Sequence, residues 1–221
     1  MEAVRKGKVA KGKEPKWKDE YIPLMKEHDV PDWYIKSCEK IKYMFPKAHA
    51  AAYVTNAFRI AWFKVHIPLA YYAAYYSIRA KAFDAQWMIF GKEKAKNKMK
   101  EIEIKNQKKE ATKAELDMYD DLEIVLEMYE RGFEFLPVDL YESDSTKFKI
   151  QDNKLRPPLN SIPGFGTVAA QGIVEARKDG KFMSIDDLKI RAKIGTSGAD
   201  LLKSFGCLEG MSQSNQMSLF G

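Results

Sequence analysis

The sequence lacks the features that mark membrane, secreted and zinc-binding proteins. Only two cysteines occur among the 221 residues, and Cys38 and Cys207 are too far apart to match a metal-ligand spacing. The longest apolar stretches are interrupted by Lys64, His66 and Arg79, so none is long enough to span a bilayer. The lysine-rich N-terminus has no apolar run behind it, unlike a signal peptide. We therefore expect a cytoplasmic protein with reduced thiols and no membrane contact.

The sequence also lacks the carboxylate pattern of a two-metal nucleotidyl-transfer site. Such a site holds acidic ligands close together, yet no Asp-x-Asp occurs here on a strand-like run. The acidic pairs Asp120-Asp121 and Asp186-Asp187 stand in helical patterns. No combination of histidines and acids indicates a nuclease or a phosphoesterase. We therefore predict no catalytic residue and no metal site within this chain.

The formal net charge of +6 is unevenly distributed along the chain. Residues 1–18 carry seven basic and two acidic side chains, and residues 92–113 carry nine lysines and four glutamates. Residues 115–147 contain eleven acids, whereas residues 154–210 are again basic. Basic zones separated by an acidic one indicate a polyanion that contacts some surfaces and not others. For residues 92–113 taken alone, the favoured interpretation is a solvated helix face.

Apolar periodicity predicts a mainly α-helical fold in four parts. Apolar residues recur at three- and four-residue steps through residues 1–132, which indicates a helical domain. In residues 133–160, apolar and polar residues alternate instead, and Asp152-Asn153 supplies a turn. We therefore predict a short antiparallel β element there. Short helices with glycine-rich turns return over residues 161–210, and residues 211–221 are predicted to form a flexible tail.

Two glycine motifs occur in the third part. Hairpin 1, Ile162-Pro163-Gly164-Phe165-Gly166, directly precedes a predicted helix, and hairpin 2, Ile194-Gly195-Thr196-Ser197-Gly198, is a weaker copy with a longer glycine spacing. Glycine lets the backbone come close to a ligand, and the helix that follows points free N–H groups at it. A phosphate suits that position, and it is contacted without regard to base identity. This arrangement resembles the tandem helix–hairpin–helix module that grips the DNA duplex backbone.

The duplex-binding candidates follow from these motifs. They are Gly164, Phe165, Gly166, Gly195 and Gly198, with Lys178 and Lys181 at the rim. The alternative, in which the glycines only form tight turns in a small helical core, stays open.

The last residues of the chain contain a second candidate motif. Gln216-Met217-Ser218-Leu219-Phe220 places an apolar pair on a polar tail with no core to join, and such a pair usually marks a partner site. The pentad resembles the short peptide by which bacterial polymerases and repair proteins hold the sliding clamp. We therefore predict that Gln216, Leu219 and Phe220 bind a clamp. A tail that folds back onto the body is the alternative.

The segment from Phe45 to Tyr53 is the most distinctive string of the first half. Pro46 sets the entry to a helix whose first turn carries Lys47 and His49. Cationic side chains beside a helix N-terminus suit the phosphates of a nucleotide. On physical grounds alone, a structural role for His49 is the favoured interpretation.

Together, these strings resemble the fingers domain of a C-family bacterial replicative polymerase. Within that family, the resemblance is to the PolC type of DNA polymerase III alpha subunit. The matching strings are Val4–Lys8, Val30–Tyr34, Lys42–Tyr53, Phe63–Pro68 and Arg156–Pro158, followed in order by the hairpins and the terminal pentad. The resemblance implies the C-terminal fingers and duplex-binding module of a much longer enzyme. It also implies that Arg5, Lys6, Lys47 and His49 reach the incoming deoxynucleoside triphosphate.

The same resemblance implies the cofactor and the partners. In this family Mg²⁺ is held by carboxylates of a palm domain upstream of the fingers, so we expect this chain alone to be unable to catalyse DNA synthesis. The expected partners are the primer–template duplex, the nucleotide, the sliding clamp, and the rest of the polymerase and the replisome at the nucleoid. Two alternatives stay open. One is a stand-alone adaptor that tethers the clamp to duplex DNA, and the other is an interaction protein with no role on DNA.

Overall fold

Helices dominate the computed structural model, which describes residues 2–214, and the predicted mainly α-helical class is confirmed. The α-helices are α1 (Glu2–Arg5), α2 (Ile22–Glu27), α3 (Asp32–Lys40), α4 (Lys47–His66), α5 (Pro68–Ile78), α6 (Ala85–Met88), α7 (Lys92–Gln107), α8 (Lys113–Glu130), α9 (Thr167–Ala176), α10 (Ile185–Ala192) and α11 (Thr196–Ser204). A π-helical turn, Trp17–Tyr21, precedes α2, and 3-10 turns lie at Leu159–Ser161 and Arg177–Asp179. The strands are β1 (Lys149–Gln151) and β2 (Lys154–Arg156). Within these residues, no helix combines the length and the hydropathy needed to cross a membrane.

The chain divides into two units, Met1–Ala61 and Trp62–Gly221, and the boundary falls within α4. The first unit has a small core that includes Trp17, Ile35 and Cys38. The second unit has a much larger core, to which every helix from α5 to α11 contributes. The nucleotide-binding candidates therefore lie in the first unit, and both glycine hairpins lie in the second.

The predicted antiparallel element is formed by β1 and β2, with Ile150 opposite Leu155. Asp152 and Asn153 make the turn, and both have positive φ, at 51° and 56°. A two-residue hairpin turn of this kind needs that backbone, and Asp and Asn adopt it more readily than most residues. Phe135 forms a parallel bridge with Leu155, so the segment ahead of β1 is also tied to β2.

Aromatic packing continues across residue 132, where the sequence predicted a domain boundary. Tyr76 of α5 is buried, and its ring centroid lies 5.6 Å from that of Phe135 and 5.3 Å from that of Phe148. The Phe83 ring lies 4.8 Å from that of Phe148. A two-stranded hairpin is not stable by itself in water. The β element therefore buries its apolar face against α5 and shares one core with the helices on both sides.

Residues at the end of α8 hold the C-terminal end of α4. Arg131 donates from Nη2 to the Lys64 carbonyl over 2.9 Å and from Nη1 to the Tyr72 hydroxyl over 3.1 Å. Lys64 Nζ also pairs with Glu127 Oε2 at 2.7 Å. The last carbonyls of a helix lack intrahelical donors and carry a partial negative charge, so a guanidinium is favourable there.

Most of α4 lies away from this contact and is exposed. Every residue from 47 to 63 is exposed, including the aromatic side chains of Tyr53 and Phe58. Along this stretch, α4 relies on its own backbone hydrogen bonds for stability.

A buried carboxylate, Asp121 of α8, fixes the loop that follows α5. Its Oδ2 accepts hydrogen bonds from the backbone N–H groups of Lys81 and Ala82 at 2.9 and 2.8 Å, and its Oδ1 accepts one from the Tyr75 hydroxyl at 3.4 Å. Burial raises the pKa of Asp121, and these three hydrogen bonds offset part of the rise. Asp121 therefore serves mainly as an acceptor for partly buried backbone groups of the loop.

We expect Asp121→Ala to lower the free energy of unfolding by about 1–3 kcal/mol, because two partly buried amides lose their acceptor. Asp121→Asn keeps an accepting oxygen and removes the buried charge, so it is expected to cost less. Urea denaturation followed by circular dichroism compares the two variants. Equal losses for both would show that the amides do not depend on this acceptor.

Candidate nucleic-acid interface

Hairpin 1 is a tight turn that leads into α9. The N–H of Phe165 donates to the carbonyl of Ile162 over 3.0 Å and closes the turn. Gly164 has a φ of +78°, a conformation that favours glycine. Gly166 is the N-cap of α9, with a φ of −70°, and a side chain added there would meet nothing within 4 Å. The backbone thus favours glycine at position 164, whereas a Cβ at position 166 would meet no steric obstacle.

Hairpin 2 packs against hairpin 1 through Phe165 and Gly198. The Phe165 side chain is buried, and a Cβ on Gly198 would lie 3.4 Å from its ring. Gly198 lies in the first turn of α11, whose N-cap is Gly195. A side chain added at Gly195 would meet nothing within 4 Å. The structure therefore places Phe165 and Gly198 at the contact between the hairpins and leaves Gly195, like Gly166, facing open space.

The helices of the chain differ in how their first amides are satisfied, and α5 and α7 are among those without a side-chain cap. Thr112 caps α8 in a reciprocal capping box, and the side chains of Ser184 and Asp84 cap α10 and α6. No side chain caps α9 or α11, whose N-caps are Gly166 and Gly195. The first N–H groups of a helix have no intrahelical acceptor and carry the positive end of its dipole. Both hairpins therefore present unsatisfied donors to an incoming anion.

The rim lysines do not lie at these amides. Lys178 lies two residues beyond the end of α9. The ten residues of this helix therefore separate it from Gly166 by about 15 Å. Lys178 Nζ pairs with Glu175 Oε2 at 2.5 Å, and Lys181 Nζ lies 5.9 Å from the centre of the Tyr141 ring. Both lysines are exposed, so they extend the positive surface beyond the far end of α9.

A groove of about 490 Å³ runs beside hairpin 1. Phe83 and Met118 contribute apolar surface to it, and Asn160, Gly164 and Gly166 line its other side. The groove therefore adjoins the unsatisfied amides at the start of α9.

The first unit brings two of the nucleotide-binding candidates into one row of rings. The Arg5 guanidinium lies 5.8 Å from the centre of the Tyr43 ring, which lies 4.7 Å from that of Phe45. The Phe45 ring stacks on His49 at 5.6 Å, and His49 lies 4.4 Å from Tyr53. This ring row, Tyr43, Phe45, His49 and Tyr53, is exposed along its length. Arg5 therefore lies at one end of a continuous row of rings, in which Phe45 and His49 are stacked and the outer pairs are tilted.

Backbone contacts place Arg5 beside the ring row. The N–H of Met44 donates to the Arg5 carbonyl over 3.0 Å. Gly7 has a φ of +68°, and a Cβ there would lie only 1.9 Å from the Lys42 carbonyl oxygen. The two segments can approach this closely only because residue 7 has no side chain.

Glu2 neutralises part of the charge at this site. Arg5 donates to both Glu2 carboxylate oxygens, at 2.8 and 2.7 Å, and Lys6 Nζ lies 3.1 Å from Glu2 Oε1. The hydrogen bond from Arg5 is the main cause that lowers the pKa of Glu2 to about 2. Lys47, at the start of α4, is exposed. The structure therefore brings two cations, Arg5 and Lys6, to one carboxylate, whereas Lys47 is an exposed cation for which no contact with them is seen within the described residues.

The clamp-binding candidates Gln216, Leu219 and Phe220 lie outside the described residues. Within residues 2–214, no group of three or more histidine, cysteine or acidic side chains is placed to hold a metal ion.

Comparison with known proteins gives two findings. A family model described as a helix-hairpin-helix motif matches residues 132–218. Proteins named DNA polymerase III PolC-type match the whole chain, with 51% identity in Oceanobacillus iheyensis, 50% in Caldanaerobacter subterraneus subsp. tengcongensis and 51% in Bacillus subtilis, each over 220 residues. Each match covers 100% of this chain and 15% of the relative, so the chain spans about 15% of the length of these curated relatives. The resemblance to PolC-type polymerases and the helix–hairpin–helix prediction are confirmed.

We expect Gly7→Ala to destabilise the first unit more than Gly12→Ala does. Both glycines have positive φ, at +68° and +66°, so both substitutions incur about 1–2 kcal/mol of backbone strain. Only Gly7→Ala adds a clash with backbone, because nothing lies within 4 Å of a Cβ at Gly12. Hydrogen exchange over residues 2–46 measures the difference. Equal protection in the two variants would show that the approach of residues 7 and 42 does not hold Arg5 in place.

Proposed function

We propose that this chain, similar along its whole length to a segment of PolC-type DNA polymerase III, works as part of a DNA polymerase. The observation that supports the proposal is the 51% identity over 220 residues, which includes both hairpins. The carboxylates that hold Mg²⁺ are assigned to the part of the polymerase outside this chain. The chain alone is therefore expected to be inactive in DNA synthesis, and its role is to hold the substrates at the replication fork.

The hairpins are assigned to the backbone of the primer–template duplex. Unsatisfied amides at the start of α9 and α11 suit phosphate oxygens, and they read no base. Glycine at positions 166 and 195 is not required by local sterics, since an added side chain meets nothing within 4 Å. Close approach of a phosphate explains why no larger residue stands there.

The first unit is assigned to the incoming deoxynucleoside triphosphate. Arg5, Lys6, Lys47 and His49 supply cationic and hydrogen-bonding groups, and guanidinium binds phosphate in a bidentate manner. In the absence of ligand, Arg5 and Lys6 share the Glu2 carboxylate. A triphosphate would replace that carboxylate with several negative charges. The exposed rings beside Arg5 offer aromatic faces on which the base can stack.

The terminal pentad is assigned to the sliding clamp. Leu219 and Phe220 supply the apolar anchors, and the Gln216 amide fixes the register of the peptide. Clamp binding and duplex binding then depend on separate parts of the chain.

We expect Gly166→Asp to weaken duplex binding by about tenfold or more, because a carboxylate would occupy the amides that bind phosphate and would repel it. The same substitution caps α9, so the free energy of unfolding is expected to stay constant or to rise by about a few tenths of a kcal/mol. Fluorescence anisotropy with a labelled duplex at low salt measures the affinity, and thermal unfolding measures the stability.

Gln107→Glu is the matched control, since it adds one acidic charge at an exposed end of α7. It is expected to change duplex affinity little. If Gly166→Asp kept the affinity of the unaltered chain, the assignment of hairpin 1 to the duplex would be wrong.

We expect Phe220→Ala to abolish binding to a bacterial sliding clamp and to leave duplex affinity nearly unchanged. The reason is that an apolar anchor is lost from the tail, while both hairpins stay intact. A pull-down with purified clamp and an anisotropy titration with duplex test the two effects in parallel. A parallel loss of both would contradict the separation of roles.

A further inference from the structure

A second groove, of about 330 Å³, lies on the other side of hairpin 1. On one side it is lined by Phe90, which follows α6, and by Lys94 of α7. On the other side it is lined by Pro163 of hairpin 1 and by Ser204 and Phe205 at the end of α11. All these residues belong to the Trp62–Gly221 unit. The groove therefore joins α7 to the duplex-binding hairpins.

Lys94 is held in this groove by aromatic rings and not by an acid. Its Nζ lies 4.6 Å from the centre of the Phe90 ring and 5.5 Å from that of Trp87. Within the described part of the chain, Lys94 forms no ion pair, whereas the neighbouring Lys92 and Lys98 pair with glutamates. A cation over aromatic faces is fixed in position but keeps its charge. The groove thus contains one oriented positive charge that forms no direct ion pair within residues 2–214, although the Asp84 carboxylate interacts with it at longer range.

Given the proposed duplex contact at hairpin 1, we propose that Lys94 binds a further phosphate of the same duplex. Pro163 lines the groove and directly precedes Gly164, so a backbone strand seated on hairpin 1 passes beside Lys94. Phosphates follow one another along a strand about every 3.4 Å of helix axis. A strand held by one phosphate at the α9 amides therefore brings others towards the groove.

Helix geometry separates Lys94 from the exposed lysines of α7. Lys96 is exposed and stands about 200° further round the helix, so it faces away from the groove. A solvated face accounts for Lys96, which is the interpretation the sequence favoured for the whole segment. It does not account for Lys94, which is half-buried beside hairpin 1.

The test is the salt dependence of duplex binding by the full chain. Each phosphate contact contributes about 0.9 to the slope of log K against log salt concentration. We expect Lys94→Gln to reduce that slope by about 0.9 over roughly 50–200 mM salt and to weaken binding at the low end. Lys94→Arg is expected to keep the slope, and Lys96→Gln, the matched control, is expected to leave it unchanged. Circular dichroism melting of each variant confirms that the fold is retained.

The possible outcomes separate this inference from the proposed function. An unaltered chain whose duplex binding ignores salt would overturn both. Strong salt dependence with an unchanged slope in Lys94→Gln would overturn only the assignment of Lys94. Equal slope reductions in Lys94→Gln and Lys96→Gln would also overturn it, because the effect would then be one of general charge and not of a site.

Discussion

Burial of the aromatic rings around Tyr76 is the interaction on which the second unit depends. The rings of Phe135 and Phe148 lie within 6 Å of Tyr76 and come from the segment between the helices and the hairpins. That segment contains too few strand residues to be stable alone. Because it is packed onto α5, the hairpins that follow are fixed relative to α6 and α7. The two grooves beside hairpin 1 are lined by residues of the unit that contains this core.

The backbone groups at the ends of helices, which have no partner within the helix, are satisfied in different ways in this protein. Where α8 and α10 begin, side chains of Thr112 and Ser184 satisfy the first amides. Where α4 ends, Arg131 satisfies the Lys64 carbonyl. These termini are closed by the protein itself. The starts of α9 and α11 have no side-chain cap, and neither do those of α5 and α7. The termini assigned to DNA are therefore distinguished by the glycine hairpin that precedes each of them, and not by the missing cap alone.

Local patterns were predictable from sequence, and long-range contacts were not. The turn at Asp152-Asn153 and the two glycine motifs follow from short-range backbone preferences, which a sequence displays directly. The role of Gly198 depends on the Phe165 ring, 33 positions earlier, and no local pattern reveals that contact. The groove beside Lys94 is likewise formed by residues more than sixty positions apart. The core that crosses residue 132 was missed for the same reason, because periodicity describes elements and not what they pack against.

The exposed length of α4 has a consequence for how this region gains order. Because residues 47–63 are exposed, α4 gains little from packing against a core, which is the main source of helix stability in proteins. Its C-terminal end is anchored by Glu127 and Arg131, so fraying starts at the Lys47 end. The first turn, which carries His49, is therefore the last part of α4 to become ordered. A ligand that orders this turn must offset the loss of conformational entropy with its own binding free energy. The cost lowers the affinity of the ligand and allows it to exchange rapidly.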